Sequence, residues 1–165
     1  MSSLKANGSA QYPLFAEFTF NWNNWVVDSA DGAKKTLGSS VANSTDPNET
    51  ALTGPAANTI TFDALPMPVG AVITGGEVIV ETAYAGSTVA TVSVGKAGSL
   101  TTLANAVDLK TAARTALTIT SPLFCNSGEN IRLTIAYTVA NATAGKARVR
   151  VQYTIDNRAQ EVQRT

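Results

Sequence analysis

Hydrophobic and polar residues alternate with period two through the last third of the chain. Apolar side chains occupy every second position of residues 131–139, and the alternation resumes over residues 147–155. Because successive side chains of a strand point to opposite faces, each run has one apolar face and one polar face. This pattern is typical of antiparallel strands over a single core, since strands of a parallel sheet are usually apolar on both faces. It predicts that Val151 is buried and that Arg150 faces solvent.

Shorter β-rich runs precede these two strands. Phe18 and Phe20 share one face of the first run, and Gly75-Gly76 is predicted to mark a bulge, a bend or a turn. About eight short strands separated by turn signals indicate an all-β antiparallel sandwich or barrel. Residues 105–114 (NAVDLKTAAR) are the one segment with a helical composition, and they predict a helix of at most three turns. The remaining predicted strands cover residues 14–20, 58–63, 71–74, 77–82, 87–94 and 116–120, and residues 21–27 continue the first strand or return as a second.

The predicted domain organisation is a flexible N-terminal arm, residues 1–13, followed by a single β-domain over residues 14–165. Residues 28–57 are rich in Ser, Thr, Asn, Asp, Gly and Pro, and no apolar period is sustained there. A connection of this length is unusual, because most connections have about 4–6 residues. We expect this loop to be functional, to be ordered by a partner, or to contain a short hairpin.

Composition argues against several classes of function. The formal net charge is zero and only 15% of residues are charged, whereas nucleic-acid binding needs a concentrated basic surface. Low charge favours self-association. The chain shows neither a signal-peptide pattern nor 18 consecutive apolar residues, so no membrane segment is expected. Cys125 is the only cysteine; it is interpreted as a small buried residue, and folding in a reducing cytoplasm is the simpler expectation.

Reactive chemistry is scarce. The chain has no histidine, which removes His-based triads and most catalytic zinc sites. Glu77 and Glu81 share a strand face, but four residues of strand separate them by roughly 13 Å, which is too far for a glycosidase pair. We therefore predict no catalytic residue, no cofactor and no metal. A calcium site in the long loop is conceivable from Asp28, Asp31, Asp46 and Glu49, although the spacing matches no EF-hand and a solvated loop is favoured.

The polar face of the last strands carries arginines. Arg148 and Arg150 would form a basic stripe with Arg132 if the last two strands pair. A cross-strand match to Glu77 and Glu81 would instead make a charged sheet face. An ordinary solvated face is the favoured interpretation.

Contacts with a partner are predicted from the aromatic residues near the N-terminus and from the apolar residues of the arm and the long loop. Aromatic side chains anchor interfaces and stack on sugars, although part of this cluster is expected in the core. The candidate contact residues are Leu4, Tyr12, Phe15, Trp22, Trp25, Leu37, Val41 and Leu52.

Residues 108–118 (DLKTAARTALT) and 144–153 (AGKARVRVQY) resemble small decoration, cement or minor head proteins of tailed bacteriophages. The resemblance covers about residues 58–160. It implies a jelly-roll-like sandwich that binds the outside of an assembled head as a dimer or trimer and links subunits of the major capsid protein. It also implies a place on the exterior of the virion after folding in the host cytoplasm. It brings no catalytic residues.

Two other functions remain open at this stage. A head or tail fibre, or a receptor- or carbohydrate-binding module, would use Tyr12, Trp22 and Trp25 as an exposed stacking surface. An enzyme that uses only carboxylates and arginines is the least favoured alternative.

Overall fold

The part of the chain that the structure describes is built from β-strands. The computed structural model describes residues 12–38, 58–120, 123–125, 127–138 and 142–155. Its strands are β1 (Leu14–Asn21), β2 (Trp25–Val27), β3 (Lys34–Thr36), β4 (Asn58–Pro66), β5 (Ala71–Ala85), β6 (Val89–Lys96), β7 (Ser99–Asp108), β8 (Arg114–Ala116), β9 (Leu123–Cys125), β10 (Asn130–Thr138) and β11 (Ala144–Ile155).

These strands form two large sheets and one small ribbon. Sheet one has the order β1-β11-β5-β8, with β9 also paired to β5; sheet two has the order β4-β10-β6-β7; β2 and β3 form the ribbon. All the pairings are antiparallel. The predicted all-β antiparallel sandwich is confirmed.

The strand order is consistent with the predicted jelly roll. When the ribbon strands β2 and β3 are set aside, together with β9, which lies off the main path of sheet one, eight strands remain. The first of them pairs with the last (β1 with β11), and the second with the seventh (β4 with β10). The third pairs with the sixth (β5 with β8), and the fourth with the fifth (β6 with β7). Two Greek keys folded from such nested pairs give a double-sheet roll.

The core lies between the two sheets and follows the period-two pattern. On β11, Val149 and Val151 are fully buried, while Arg150 between them is half-exposed. The buried residues of β10 alternate with half-exposed residues in the same way; they are Ile131, Leu133, Ile135 and Tyr137. The assignment of faces from sequence is therefore confirmed for both strands.

The predicted helix over residues 105–114 is wrong. Strand β7 continues to Asp108, a short non-helical link follows, and β8 begins at Arg114. The link buries Leu109 completely; its amide donates to the Ala90 carbonyl at 2.9 Å and its carbonyl accepts the Tyr84 amide at 2.9 Å. Helix propensity is a weak preference, and burial of one leucine between two strands overrides it. The strand predicted over residues 116–120 also differs, since β8 ends at Ala116.

The Gly75-Gly76 pair lies within one continuous strand. In the pairing of β11 with β5, Gln152 faces Gly75 while Tyr153 faces Ile73, so Thr74 is an extra residue. This is a β-bulge, which was one of the three predicted alternatives.

The described part of the N-terminal region begins at Tyr12. Strand β1 begins at Leu14, and residues 1–11 of the predicted arm lie outside the described residues. Of the described strands, only β3 lies within the predicted loop 28–57; it pairs with β2, which precedes that loop, so the hairpin crosses the predicted boundary. Residues 39–57 also lie outside the described part.

Candidate interaction surfaces

Three of the predicted contact residues are exposed. Tyr12, Phe15 and Trp25 have exposed fractions of 84%, 56% and 59%. Phe15 lies opposite Gln152 in the β1–β11 pairing, so its side chain is on the outer face of sheet one. The Arg150 guanidinium lies 5.3 Å from the centre of the Phe15 ring. These three residues are available to a partner.

The other predicted contact residues are not equally available. Leu37, directly after the end of β3, is fully buried in the core, so its side chain is not available for the predicted partner contact. Trp22 is partly buried against the same core. Leu4, Val41 and Leu52 lie outside the described residues.

The β2–β3 hairpin presents an exposed apolar face. Trp25 and Val27 are alternate residues of β2, and both are more than half exposed. The Lys34 ammonium lies 4.2 Å from the centre of the Trp25 ring, a distance at which a cation is attracted by the ring electrons. This contact places a positive charge over one face of the indole.

A buried ion pair fixes the hairpin to sheet two. The Lys35 Nζ atom lies 2.6 Å from Asp28 Oδ2 and 2.7 Å from Asp31 Oδ2. The other oxygen of Asp28 accepts the amides of Ala30 at 3.0 Å and Thr61 at 3.2 Å. Since Thr61 belongs to β4, the carboxylate connects the hairpin to the edge of the sheet.

The same ion pair occupies two of the carboxylates that the sequence suggests as calcium ligands, Asp28 and Asp31. The Lys35 ammonium lies between Asp28 and Asp31, where a cation bound by both carboxylates would lie. Its hydrogen bond keeps the pKa of Asp31 below the usual value. Burial opposes the charge of Lys35, but the two carboxylates outweigh that effect and raise its pKa. Asp46 and Glu49 lie outside the described residues, within which no group of metal-ligating side chains occurs.

The outer face of sheet one is a charged network. The guanidinium of Arg114 binds both oxygens of Glu77, at 2.6 and 3.0 Å. Arg150 reaches Glu17 at 3.3 Å and Glu77 at 3.9 Å, so it bridges the strands on either side of it. The predicted cross-strand match between the β11 arginines and Glu77 is thus observed.

A second set of ion pairs continues the network toward the beginning of β11. Glu81 lies 2.8 Å from the Lys146 ammonium and 3.1 Å from Arg148 Nε, and the Arg148 guanidinium also lies 3.4 Å from Glu17. Hydrogen bonds from Arg114 and Lys146 lower the pKa values of Glu77 and Glu81, respectively. The charges alternate from strand to strand: negative on β1, positive on β11, negative on β5 and positive on β8.

Arg132 does not join this network. The basic stripe is conditional on pairing of the last two strands, and this condition is not met, because β10 and β11 belong to different sheets. Arg132 instead binds Asp63 of β4 through a 2.6 Å contact on the outer face of sheet two.

The outer face of sheet two is rich in hydroxyl groups. The Thr61 and Thr134 hydroxyls lie 3.0 Å apart across the β4–β10 pair. The Ser93 hydroxyl accepts the amide of Ala106 at 2.9 Å. Apart from the Arg132–Asp63 pair, the central rows of this face carry small side chains, so its surface chemistry differs from that of sheet one.

Cys125 is buried, as the sequence predicts. Burial raises the pKa of its thiol, which disfavours the reactive thiolate. No described helix is long and apolar enough to cross a bilayer.

Comparisons with known proteins give one likeness in fold. No protein-family model and no curated protein matches the sequence. Among solved structures, the chain is similar to a chain of the cyanophage Pam1 capsid asymmetric unit, with a TM-score of 0.51 and 16% sequence identity. The alignment covers 94% of this chain and 97% of that one. At this identity the likeness shows a shared fold that extends over nearly the whole of both chains.

Proposed function

We propose that this chain is a structural protein of a bacteriophage virion. The observation that carries the proposal is the likeness to a chain of the cyanophage Pam1 capsid, which covers nearly all of both chains. The resemblance of residues 108–118 and 144–153 to small head proteins supports the same class. The neutral charge agrees with it, because a surface without strong net charge favours association with other proteins.

Within that class, we propose a decoration or cement protein. It binds the outer surface of the head and stabilises the shell by bridging major capsid subunits, and it associates with copies of itself. It folds in the host cytoplasm, needs no cofactor, and binds neither nucleic acid nor membrane. No catalytic turnover belongs to this function.

The placement of the exposed aromatics supports a bridging role. Tyr12 and Phe15 lie at the start of β1, and the β2–β3 hairpin with Trp25 follows its end. Phe15 and the end of β1 at Asn21 are six residues apart, or roughly 20 Å along the strand, so the two apolar surfaces are separated. A protein that links two neighbours needs two such contact areas on one rigid body. Leu4, Val41 and Leu52 remain part of the proposed contact set, while Leu37 is left out of it.

Purified virions test the proposal. We expect mass spectrometry of intact particles to find this chain in hundreds of copies, and image reconstruction to find it on the outside of the head. Its absence from particles, or its presence in the tail alone, would contradict the proposal.

Binding to particles that lack the protein tests the contact residues. Trp25→Ala and the pair Tyr12→Ala/Phe15→Ala are each expected to weaken binding at least tenfold, because each removes one of the two contact areas. Val69→Ala is the matched control: this side chain is 66% exposed, and it lies on a different loop. Equal binding of all variants would exclude these residues from the contact.

A second function, a fibre or a receptor- or carbohydrate-binding module, is favoured by the exposed indole of Trp25. The Lys34 ammonium already occupies a position over this ring, which disfavours sugar stacking on that side. A glycan array with the wild-type chain and the Trp25→Ala variant separates the two functions, since a cement protein gives no Trp25-dependent signal.

A further inference from the structure

The edge of sheet one formed by β1 is long and uncovered within the described residues. Strand β1 has eight residues, contains no proline or lysine, and pairs with β11 without a register shift. Natural proteins usually shorten, charge, bend or cover such edges, because unpaired strands recruit other strands.

The other sheet edges show these protections. The edge of β4 is covered by the turn of the hairpin, whose Ser29 amide donates to the Thr61 carbonyl at 2.6 Å. Strands β8 and β9 have only three residues each. Strand β7 pairs with β6 through two register shifts, and its Leu103 carbonyl accepts the Thr118 amide at 2.8 Å. The edge of β1 is therefore the exception.

The hydrogen bonds at the end of β1 show which backbone groups point outward. The Trp22 amide donates to the Gly145 carbonyl at 3.1 Å, so this amide points toward β11. By alternation along an antiparallel strand, the amides and carbonyls of the odd-numbered residues point away from β11. At Asn21 these groups are used locally, since its amide binds Asn24 Oδ1 at 2.7 Å and its carbonyl accepts the Asn24 amide at 3.1 Å.

Three residues keep outward backbone groups with no partner in the described part of the chain: Phe15, Glu17 and Thr19. Together they present three donors and three acceptors along the edge. The core beneath the same edge is also incomplete. Ala16 and Phe18 of β1 are only partly buried, whereas their β11 partners Val151 and Val149 are fully buried.

We propose that β1 of a second copy of this chain pairs antiparallel with β1, about a two-fold axis at Glu17. In this register Phe15 faces Thr19 of the second copy and Glu17 faces its own equivalent, so all six outward groups are paired. The Glu17 carboxylates do not meet as bare charges, because Arg148 and Arg150 lie 3.4 and 3.3 Å from each. The two five-stranded sheets then form one continuous sheet.

A second copy is favoured over an unrelated strand because the edge is self-complementary. The three outward residues pair among themselves under one two-fold axis, as an isologous contact requires. Because the net charge is zero, electrostatic repulsion between two copies does not oppose their association. This inference specifies the self-association in the proposed function and rests on that part of it alone.

Sedimentation velocity of the purified chain tests the inference without any virion. The wild type is expected to sediment as a dimer, with twice the 17.1 kDa mass of the chain. Thr19→Pro removes one outward amide and leaves the bonds to β11 intact, so we expect at least tenfold weaker association. Thr19→Val keeps the amide and is expected to dimerise as the wild type does. Circular dichroism verifies that both variants are folded.

Cysteine cross-linking tests the register. Opposed residues in a hydrogen-bonded antiparallel pair have Cα atoms about 5.5 Å apart, which suits a disulfide. Glu17→Cys is therefore expected to form a disulfide-linked dimer under mild oxidation. Thr101→Cys, an exposed position on β7, is the control and is expected to stay unlinked.

Four results would overturn the inference: a monomeric wild type at all concentrations, unchanged association of Thr19→Pro, equal cross-linking at Thr101, or dimerisation that begins only when residues 1–11 are removed. The last result would mean that the arm of the same chain covers β1. Failure of the wild-type chain to bind particles while it still dimerises through β1 would count against the proposed function and leave this interface intact.

Discussion

The two sheets of the sandwich have similar inner faces and different outer faces. Val151 of sheet one and Leu133 of sheet two are equally buried. On the outside, sheet one carries alternating rows of carboxylates and basic groups, whereas sheet two carries paired hydroxyls such as Thr61 and Thr134. The inner faces are alike because both are buried and must be apolar. The chemistry of each outer face depends instead on which polar residues become cross-strand neighbours.

The edges of the sheets differ in the same way. Sheet two is covered at β4 by a turn that a buried ion pair holds in place. Sheet one ends in the uncovered strand β1 within the described residues. A sandwich with one covered edge and one open edge limits strand pairing between copies to the open edge.

The largest effect is expected from a charge placed on an inner face. Val151→Asp buries an unpaired carboxylate, which we expect to lower the free energy of unfolding by more than about 4 kcal/mol and to prevent soluble expression. The neighbouring variant Gln152→Asp changes the outer face of the same strand and is expected to express normally. Denaturant unfolding and soluble yield measure both. A normal melting curve for Val151→Asp would mean that the inner and outer faces are reversed.

The covered edge of sheet two is expected to depend on its ion pair. Asp28→Ala leaves the Lys35 ammonium without its buried partner, and breaking such a pair costs about 3 kcal/mol. Asp31→Ala removes the more exposed partner and is expected to cost about 1 kcal/mol or less. Urea unfolding of both variants measures the difference. Equal effects would show that the exposed carboxylate contributes as much as the buried one.

Substitution of Gly145 in sheet one is expected to lower stability, because a side chain there would meet Tyr84. A Cβ on Gly145 would overlap the ring of Tyr84, and overpacking of this kind costs about 2 kcal/mol. Gly98→Ala is the matched control, because this glycine also has positive φ, at 80°, but a Cβ there meets nothing within 4 Å. Thermal unfolding compares the two. A larger loss for Gly98→Ala would assign the effect to backbone conformation alone.

The smallest effect is expected on the outer face of sheet one, where it depends on pH through Glu77 and Glu81. Glu77 and Glu81 have pKa values below the usual 4.5 in the folded chain. Their contribution to stability is therefore present above that value and is lost as the pH falls through their lower folded pKa values.

We expect the double variant Glu77→Gln/Glu81→Gln to be less stable than the wild type at pH 7, and the difference to shrink toward pH 3. Thr134→Val, on sheet two, changes no titrating group, so its effect is expected to be the same at both pH values. Urea unfolding at pH 7 and pH 3 measures this. A constant difference for the glutamate variant would show that the network contributes nothing through its charges.

Several features of the fold and the surface could be predicted from the sequence. The alternation of β10 and β11 predicts their buried residues, and the position of Leu14 predicts the start of β1. The exposed state of Trp25 and the buried state of Leu37 could not be separated, because both occur in a short segment without a sustained period. Residues 105–114 were misleading for a related reason, since a helical composition says nothing about the partner that buries Leu109.

The sequence alone determines that this chain forms antiparallel strands with one apolar and one polar face. The reason is that the alternation of side chains is a local property of the extended backbone. Tertiary structure decides which strands become neighbours. Arg132 meets Asp63, 69 residues away, and Arg150 meets Glu17, 133 residues away. Period two specifies the face on which each of these side chains lies but carries no information about strand order. The charged face, the hydroxyl face and the open edge at β1 follow from that order.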